Sequence, residues 1–212
     1  MVKLYKNFNI NNHHKNSIIL IGNFDGLHLG HQKLFKLALS YKKKYNSKIG
    51  VINFDPMPKM YFNNSLKNFK ISSVNQKLEL LKELKVDFII TKKFDKNFSK
   101  IKSIKFIKEI LYKKLNCKFI FVSNNFRFGN KREGDVKLLL QNEKNYNYKV
   151  IKPKPLLKSK KIVSSTIIRN LLEKGNLDKA NKFLGREWTI DGIVQKGRQV
   201  GKKIGFPTCN ID

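Results

Sequence analysis

The sequence of 212 residues has two cysteines, few arginines, few acidic residues and no long apolar run. Cys117 and Cys209 lie far apart and form no C-x-x-C pair, which argues against a disulfide framework and against a zinc site. A helix that spans a bilayer needs roughly 20 apolar residues in succession, and no stretch approaches this length. The first residues also lack the apolar core of a signal peptide. We therefore expect a cytoplasmic protein with no membrane partner.

Acidic residues are scarce relative to basic ones, with 15 Asp and Glu against 45 Lys and Arg, for a formal net charge of +30. Such a charge attracts phosphate polymers and other anions. The arginines that favour bidentate phosphate recognition are only Arg127, Arg132, Arg169, Arg186 and Arg198. The remaining basic residues are lysines spread over the whole chain. We interpret them as a solvated surface and expect no specific nucleic-acid partner, although a basic nucleic-acid-binding protein remains an alternative.

Apolar segments typical of buried strands alternate with segments of helical periodicity. The predicted strands are 17–22, 49–54, 88–91, 118–122 and 148–151, and the predicted helices are 31–45, 74–84, 103–115 and 135–142. Ser73 and Gln76 form a capping-box pattern before the second helix. The alternation predicts an α/β fold with a parallel five-stranded sheet, helices on both faces and a ligand crevice at the carboxyl ends of the strands.

The pattern changes near residue 187. Before it, two further helices are predicted over 166–174 and 177–184, joined by Gly175 and Asn176. After it, an isolated strand is predicted over 188–194. The final 26 residues, 187–212, are too few to bury a core by themselves. We therefore place a domain boundary between residues 186 and 187.

The first predicted strand runs into a glycine-rich turn and then a helix. Gly22, Gly26 and Gly30 allow sharp turns and close approach of the backbone to a ligand. The helix that follows directs unpaired N–H groups at the same place, as anion sites do. His28 and His31 add two imidazoles that can donate to phosphate oxygens. A chance pair of surface histidines is the plain alternative, but the coincidence of strand, turn and helix favours a phosphate site.

Two later segments can form an apolar wall beside that turn. They contribute Phe54, Pro56, Pro58 and Phe62 after the second strand, and Asn125, Phe126 and Phe128 after the fourth. Aromatic rings and prolines offer a flat surface, and an Asn amide can bind the edge of a heterocycle. Packing of the first segment against the core, and an Asn-capped turn in the second, are the alternatives.

A second anion site is predicted at the start of the 166–174 helix. Ser164, Ser165 and Thr166 can cap its N–H groups, and Arg169 follows one turn later. An ordinary capped helix is the alternative. Asp25, in the glycine-rich turn, either orients the site or forms a local Asx turn.

With these motifs identified, the chain resembles the bacterial bifunctional riboflavin kinase/FAD synthetase family over nearly its whole length. Residues 22–31 resemble the H-x-G-H signature of its nucleotidyltransferase module, and residues 164–169 resemble its S-S-T-x-I-R segment. The resemblance implies a Rossmann-like nucleotidyltransferase domain over 1–186. It also implies that residues 187–212 are the beginning of a β-barrel riboflavin kinase domain.

The same resemblance implies transfer of AMP from ATP to FMN with release of pyrophosphate, assisted by Mg²⁺. The implied catalytic residues are His28, His31 and Arg169. The implied ATP-binding residues are Gly22, Asn23, Phe24, Asp25, Gly26, Gly30, Ser164, Ser165 and Thr166. The implied flavin-binding residues are Phe54, Pro56, Pro58, Phe62, Asn125, Phe126 and Phe128.

The chain departs from the family pattern at two places. Met57 stands where the family has a histidine between two prolines, so a polar role there is lost. Residues 205–210 resemble the kinase motif G-F-P-T-A-N, with Cys209 in place of alanine. In that motif Thr208 and Asn210 would serve Mg-ATP. Because the rest of the kinase barrel would follow residue 212, we expect little or no phosphorylation of riboflavin by this chain.

Other H-x-G-H transferases are rival hypotheses, among them pantetheine-phosphate adenylyltransferases and cytidylyltransferases. The aromatic and proline residues of 54–62 and 125–128 suit a flat flavin ring better than a flexible thiol arm. A class I aminoacyl-tRNA synthetase would need a lysine-rich loop late in its catalytic domain. Residues 70–73 come too early in the chain to be that loop.

Overall fold

The computed structural model describes residues 2–66, 69–158, 160–195, 204–205 and 210–211. Its longer strands belong to one sheet: β1 (Lys3–Tyr5), β2 (Ile18–Ile21), β3 (Ile49–Asp55), β4 (Phe88–Lys93), β5 (Phe119–Phe121) and β8 (Lys149–Ile151). Short pairs form hairpins or bridges: β6 (Arg127–Phe128) with β7 (Gly134–Asp135), β9 (Leu157–Lys158) with β10 (Lys161–Ile162), and β11 (Val194–Gln195) with β12 (Asn210–Ile211).

The sheet has six strands in the order β1-β4-β3-β2-β5-β8, and every neighbouring pair is parallel. All five predicted strands lie in it. The prediction of a five-stranded sheet was wrong by one edge strand, β1, whose three residues are too few to show a period. From β2 the chain builds β3 and β4 on one side and β5 and β8 on the other. Ligands of such sheets bind where the order reverses, at the carboxyl end of β2.

The helices lie between the strands as predicted. They are α1 (Leu29–Tyr45), α2 (Pro58–Phe62), α3 (Val74–Glu83), α4 (Lys96–Ser99), α5 (Ser103–Lys105), α6 (Val136–Gln141), α7 (Ser165–Glu173) and α8 (Leu177–Leu184). The predicted helix over 103–115 is α5 followed directly by a π-helix, Phe106–Lys114. The capping box of Ser73 and Gln76 is present at the start of α3. No helix in the described parts of the chain is long and apolar enough to cross a membrane.

The strand β2 is buried on both faces, which explains its unbroken apolar sequence. Ile18 and Leu20 pack on one face together with Phe35 of α1. Ile19 and Ile21 pack on the other, with the π-helix. This alternation of side chains fixes the register of β2, so its carboxyl end delivers the glycine-rich turn to the middle of the sheet edge.

The predicted strand over 188–194 was wrong. Within the described residues, only Val194 of that segment is in a strand, paired with Ile211. Residues 187–193 are irregular and lie against the start of α3, where Trp188 Nε1 donates to the carbonyl of Ile71 at 2.9 Å. Hydrogen bonds to another element thus replace strand pairing. The motif residues 206–209, including Thr208, and the side chain of Asn210 lie outside the described residues.

Candidate active site

The glycine-rich turn leaves β2 at the switch point of the sheet and forms a short 3₁₀ helix, Asp25–Leu27. Phe24 is in the left-handed region with φ of 48°, and its buried ring packs on Phe35. Gly26 has φ of +74°, and a Cβ there would lie 2.9 Å from Ile71. Only glycine suits both constraints. Contacts with Phe35 and Ile71 thus hold the turn in place, and α1 begins directly after it.

His28 is the N-cap of α1, and 5% of its surface is exposed. Its Nδ1 accepts the backbone N–H of His31 at 3.3 Å. In a neutral imidazole with Nδ1 as acceptor, the proton is on Nε2. Burial lowers the pKa of His28 to about 4, against the opposing effect of Asp25. The imidazole is therefore neutral at physiological pH, with Nε2–H as its donor.

His31 lies parallel to His28, with ring centroids 3.7 Å apart and planes 18° apart. Burial, with His28 and Lys77 adding to it, holds the pKa of His31 well below its usual value. Its Nδ1 is buried without a hydrogen-bond partner among the described residues, and so is Oδ1 of Asn23. Buried polar atoms are normally satisfied, so two such atoms beside one turn indicate a place for a polar ligand.

Asp25 is 2% exposed and forms the centre of a buried network. Its carboxylate accepts the N–H of Ile71 at 3.0 Å and that of Ser72 at 3.4 Å. It also pairs with Nη2 of Arg169 at 2.7 Å. The partners lie 46 or more residues away, so the local Asx-turn alternative for Asp25 was wrong. Asp25 joins the turn to distant parts of the chain.

Arg169 is committed to the same network. Its Nε donates to the carbonyl of Phe69 at 2.8 Å, and its Cζ lies 3.7 Å from the centroid of the Phe69 ring. The guanidinium is thus paired with a carboxylate of the chain itself, where the sequence had suggested a phosphate contact or an ordinary capped helix. Arg169 nonetheless lines a cavity that also contains His31.

The start of α7 lies against the glycine-rich turn. Ser164 caps the helix by accepting the N–H of Ile167 at 3.4 Å, and Ser165 Oγ donates to the carbonyl of Asp25 at 3.0 Å. The cap alternative is therefore correct for Ser164. Ser164, Ser165 and Thr166 also line a cavity together with His28 and His31, so the cap leaves these residues beside a possible ligand space.

Gly30 lies where no side chain fits comfortably. A Cβ there would be 3.1 Å from the His28 ring and 3.2 Å from the carbonyl of Val163. The glycine of the H-x-G-H pattern therefore allows α1, the His28 imidazole and the segment before α7 to meet.

Three adjoining cavities open along this edge of the sheet. The histidine cavity, of about 700 Å³, is lined by His28, Gly30 and His31 and also by residues 153–156 and 162–166. The central cavity, of about 430 Å³, shares Asn23, His31 and Asn125 with it. The cavities form one cleft because shared side chains line each pair of neighbours.

The aromatic cavity, of about 440 Å³, continues the cleft on the other side of the central cavity. The two share Phe54, Pro58, Phe126 and Arg132. Phenylalanines supply most of the apolar wall, namely Phe54, Phe62, Phe94, Phe98, Phe106, Phe126 and Phe128. One end of the cleft is therefore polar and rich in hydrogen-bonding groups, and the other is flat and apolar.

Most of the predicted site residues meet in this cleft. The lining residues include Gly22, Asn23, Phe24, Asp25, His28, Gly30, His31, Phe54, Pro58, Phe62, Asn125, Phe126, Phe128, Ser164, Ser165, Thr166 and Arg169. Gly26 and Pro56 line none of the three cavities, so their predicted ligand contacts are not supported. The side chain of Ile71 fills the space beside Gly26. Met57, at the departure from the family pattern, is 2% exposed and lines the central cavity, so the apolar wall is kept.

Sequence reasoning missed several lining residues. Lys33 and Lys154 line the histidine cavity, and Lys33 Nζ donates to the carbonyl of Lys154 at 3.1 Å. Phe94 and Phe98 follow β4, and their position at the carboxyl end of a predicted strand was the available signal. Arg132, at the junction of the central and aromatic cavities, had no signal beyond being one of few arginines.

Within the described residues, no group of three or more His, Cys, Asp or Glu side chains is arranged to hold a metal ion. Asp25, the carboxylate lining the central cavity, is engaged by Arg169 and two backbone N–H groups. The protein atoms alone therefore do not form a resident metal site in this part of the chain. A divalent cation that relies on substrate phosphates for most of its ligands needs fewer protein ligands.

A parallel sheet, a switch-point cleft and an H-x-G-H turn with two neutral imidazoles define a Rossmann-like α/β protein of the nucleotidyltransferase type. The sequence model of the FAD synthetase family matches residues 10–167, and that of riboflavin kinase matches residues 184–212. The chain belongs to the FAD synthetase family. The resemblance noted from the motifs is thereby confirmed.

Relatives of known name agree with this assignment. The chain is 42% identical over 204 residues to a bifunctional riboflavin kinase/FMN adenylyltransferase of Buchnera aphidicola from Schizaphis graminum. It is 34% identical over 194 residues to the Escherichia coli K12 protein of that name. The alignments cover 96% and 92% of this chain but 65% and 62% of these relatives, so the chain spans less than two thirds of their length.

Solved structures agree on the fold. A crystal structure of a Streptococcus pneumoniae protein described as a macrolide-efflux protein superimposes with a TM-score of 0.82 at 28% identity, covering 100% of this chain and 68% of that one. A pantoate-beta-alanine ligase from Francisella tularensis superimposes with a TM-score of 0.51 at 15% identity, covering 94% of this chain and 91% of that one. The second likeness concerns the fold alone.

Proposed function

We propose that this chain transfers the adenylyl group of ATP to FMN, forming FAD and pyrophosphate. The observation that carries the proposal is the continuous cleft, in which two neutral imidazoles line one end and a wall of phenylalanines lines the other. A nucleoside triphosphate needs the first environment and an isoalloxazine ring the second. Membership of the FAD synthetase family and the names of the relatives support the same pair of substrates.

The reaction makes modest chemical demands on the protein. The phosphate of FMN is already an anionic nucleophile, so no protein base and no covalent intermediate are needed. The protein must align two phosphates that repel each other and stabilise the charge that develops on the α-phosphoryl group. Preorganised N–H donors perform this task best when they are buried before the substrate arrives.

His28 and His31 are suited to this role. His28 is buried and His31 partly buried, and burial lowers the pKa of both, so each imidazole is neutral and offers one N–H group. The Nε2–H of His28 is the donor available to the α-phosphoryl oxygens, because Nδ1 is held by His31 N–H. When the triphosphate binds, its negative charge raises the pKa of both imidazoles and strengthens these hydrogen bonds.

Arg169 stays in the proposal in a modified role. It lines the central cavity while it is paired with Asp25, so its guanidinium is held beside the ligand in a fixed position. The start of α7 adds Ser165 and Thr166 at the wall of the histidine cavity. Together they form the ATP-facing side of the cleft.

Mg²⁺ remains part of the proposal as an ion that accompanies ATP. When bound, it would offset charge on the leaving pyrophosphate. The oxygens of the triphosphate would supply most of its ligands, since Asp25 is already engaged. Thr208 and Asn210 stay as predicted Mg-ATP ligands of a complete kinase module, and their side chains lie outside the described residues.

The flavin ring is proposed to lie in the aromatic cavity, with its phosphate directed at the central cavity. Arg127 and Arg132 line both cavities and supply cationic groups where that phosphate would lie. Asn125 accepts the hydroxyl of Ser123 at 2.9 Å, which leaves its amide nitrogen as the donor that a ligand would meet. These contacts favour FMN over the thiol-arm substrates of other H-x-G-H transferases.

We also propose that residues 1–186 form the FMN adenylyltransferase module and that residues 187–212 begin a riboflavin kinase module. The riboflavin kinase match begins at residue 184, close to this boundary, and the FAD synthetase match ends before it, at residue 167. Riboflavin would be the substrate of a complete kinase module. A cytoplasmic location, with ATP and FMN as the ligands and neither nucleic acid nor membrane as a partner, fits these small-molecule substrates.

The direct test is to incubate the full chain with FMN, ATP and Mg²⁺ and to separate the products by chromatography. Formation of FAD and pyrophosphate in equal amounts is expected. Replacing FMN by pantetheine phosphate, or ATP by CTP, should give no adenylylated or cytidylylated product. A chain that binds ATP but yields no FAD would refute the assignment.

A further inference from the structure

The segment that follows α8 contacts the loop behind the candidate active site. Trp188 Nε1 donates to the carbonyl of Ile71 at 2.9 Å, and its own backbone N–H donates to Asn181 Oδ1 at 2.8 Å. Through its backbone N–H and its indole, Trp188 therefore connects α8 to the loop of residues 69–72, here called the support loop. Trp188 is the one tryptophan of the chain.

The support loop reaches the site through its other atoms. The N–H of Ile71 donates to the Asp25 carboxylate, and the carbonyl of the same residue accepts from Trp188. At the start of the loop, Phe69 holds Arg169 by its carbonyl and by its ring. A single residue, Ile71, thus joins the indole directly to the buried Asp25–Arg169 pair.

Ile71 also fixes the glycine-rich turn by packing. Its side chain is 4% exposed and occupies the space that a Cβ on Gly26 would need. A shift of Ile71 would therefore move the turn that carries His28 as well as the carboxylate beneath it. Misplacement of reacting groups by about 1 Å can reduce turnover by roughly a hundredfold.

Resting on the proposed function, we propose that Trp188 is a positioning residue for adenylyl transfer: its indole N–H holds Ile71 so that Asp25, Arg169 and the histidine turn are set for the triphosphate. The segment after α8 is then a structural part of the nucleotide site, although it belongs by sequence to the following module. The substitution of choice is Trp188→Phe, which keeps an aromatic ring and removes the donor.

Other contacts of the same segment supply a matched control. Gln76 Nε2 donates to the carbonyl of Thr189 at 3.0 Å and to its Oγ1 at 3.2 Å. Thr189→Ala removes only the second contact, and it affects α3 and not the support loop. Exchange and turnover of this variant should stay within about twofold of the parent chain.

The first readout is amide hydrogen exchange of Ile71 and Ser72, because both N–H groups donate to Asp25. Loss of the indole hydrogen bond should accelerate their exchange about tenfold in Trp188→Phe and leave it unchanged in Thr189→Ala. This readout does not depend on catalysis. It would decide the role of Trp188 even if the parent chain made no FAD, an outcome that would refute only the proposed function.

The second readout is kinetic. Trp188→Phe should lower kcat about tenfold, while the Kd for FMN alone should change less than about twofold, because no residue of the support loop lines the aromatic cavity. If Trp188→Phe folds poorly, the same measurements are made with benzothienylalanine at position 188, which keeps the indole shape without the N–H. Exchange at Ile71 and Ser72 equal to that of the parent chain in such a protein would overturn the proposal.

Discussion

The two ends of the cleft are built differently. The histidine cavity depends on individual atoms: Nδ1 of His28, which accepts a backbone N–H, Nδ1 of His31, which has no hydrogen-bond partner within the described parts of the chain, and a glycine that leaves room for an imidazole. The aromatic cavity depends on area, with rings such as Phe126 and Phe128 stacked at 5.4 Å and 15°. A hydrogen bond is lost completely when one of its atoms is removed, whereas removing one ring takes away only part of the binding free energy that a large apolar surface supplies. Single substitutions should therefore act far more strongly at the histidine end.

The largest effect is expected for His28→Ala. It removes a preorganised donor, which typically raises the barrier by about 3 to 4 kcal/mol and lowers turnover about a hundredfold to a thousandfold. The Kd for FMN, measured by flavin fluorescence, should be unchanged. His13→Ala, at an exposed histidine, is the control and should retain full turnover. Normal FAD formation by His28→Ala would remove the role assigned to this imidazole.

The next effect concerns stability and pH. The pKa of His28 is about 4 in the folded chain and about 6.5 in the unfolded one. Between these values the unfolded chain binds a proton that the folded chain does not, so stability falls as the pH is lowered from 6.5 towards 4. The loss from this residue is on the order of 3 kcal/mol.

His28→Gln should therefore flatten the pH dependence of the free energy of unfolding, measured with urea at neutral pH and near pH 4. His31 keeps its own contribution in this variant. An equally steep profile in His28→Gln and the parent chain would show that His28 is not buried neutral.

A smaller effect is expected for Gly30→Ala, which places a Cβ 3.1 Å from the His28 ring. Overpacking of this kind costs about 1 to 3 kcal/mol of stability, and the displaced imidazole should lower turnover about tenfold. Gly175→Ala is the matched control: a Cβ there meets nothing within 4 Å, but φ is +67°. It should lose about 1 kcal/mol by backbone strain and keep its turnover. Equal turnover of the two variants would count against contact with His28 as the reason for glycine.

The smallest effect tests the aromatic end. Phe62 is 70% exposed while it lines the aromatic cavity, so Phe62→Ala should leave the melting temperature unchanged. Loss of one stacking surface should weaken FMN binding by about 1 kcal/mol, roughly fivefold, without changing the KM for ATP. Leu4→Ala, at a side chain 55% exposed on the sheet edge, controls for lost apolar surface. A changed KM for ATP in Phe62→Ala would mean that the two ends of the cleft are not separable.

The same contrast explains what the sequence could predict. The histidine end is specified by contiguous residues, so strand, turn and helix around His28 were recognisable from their order and from glycine spacing. The aromatic end draws rings from the ends of β3, β4 and β5. Phe54 and Phe126 were predicted because they lie in conspicuous segments, whereas Phe94 and Phe98 were missed because their segment carries no motif.

Side-chain partners were the least predictable feature. A helix start followed by Arg169 indicates an anion, but nothing in the order of residues says that the anion is Asp25. The 188–194 segment has the apolar content of a strand. Its residues instead form hydrogen bonds to the start of α3 and the loop before it, among them the bond from Trp188 to Ile71. In both places a contact with a distant part of the chain, which the local sequence does not encode, decided what the residues do.

The pairing of Asp25 with Arg169 has a consequence for synthesis of the chain. The two residues are 144 positions apart, so the ribosome releases the carboxylate long before its cation. A lone carboxylate resists transfer out of water, and the turn that carries it stays hydrated until α7 emerges. Nucleotide binding at the proposed site should thus appear late and abruptly during translation, once α7 has been synthesised and folds against the glycine-rich turn.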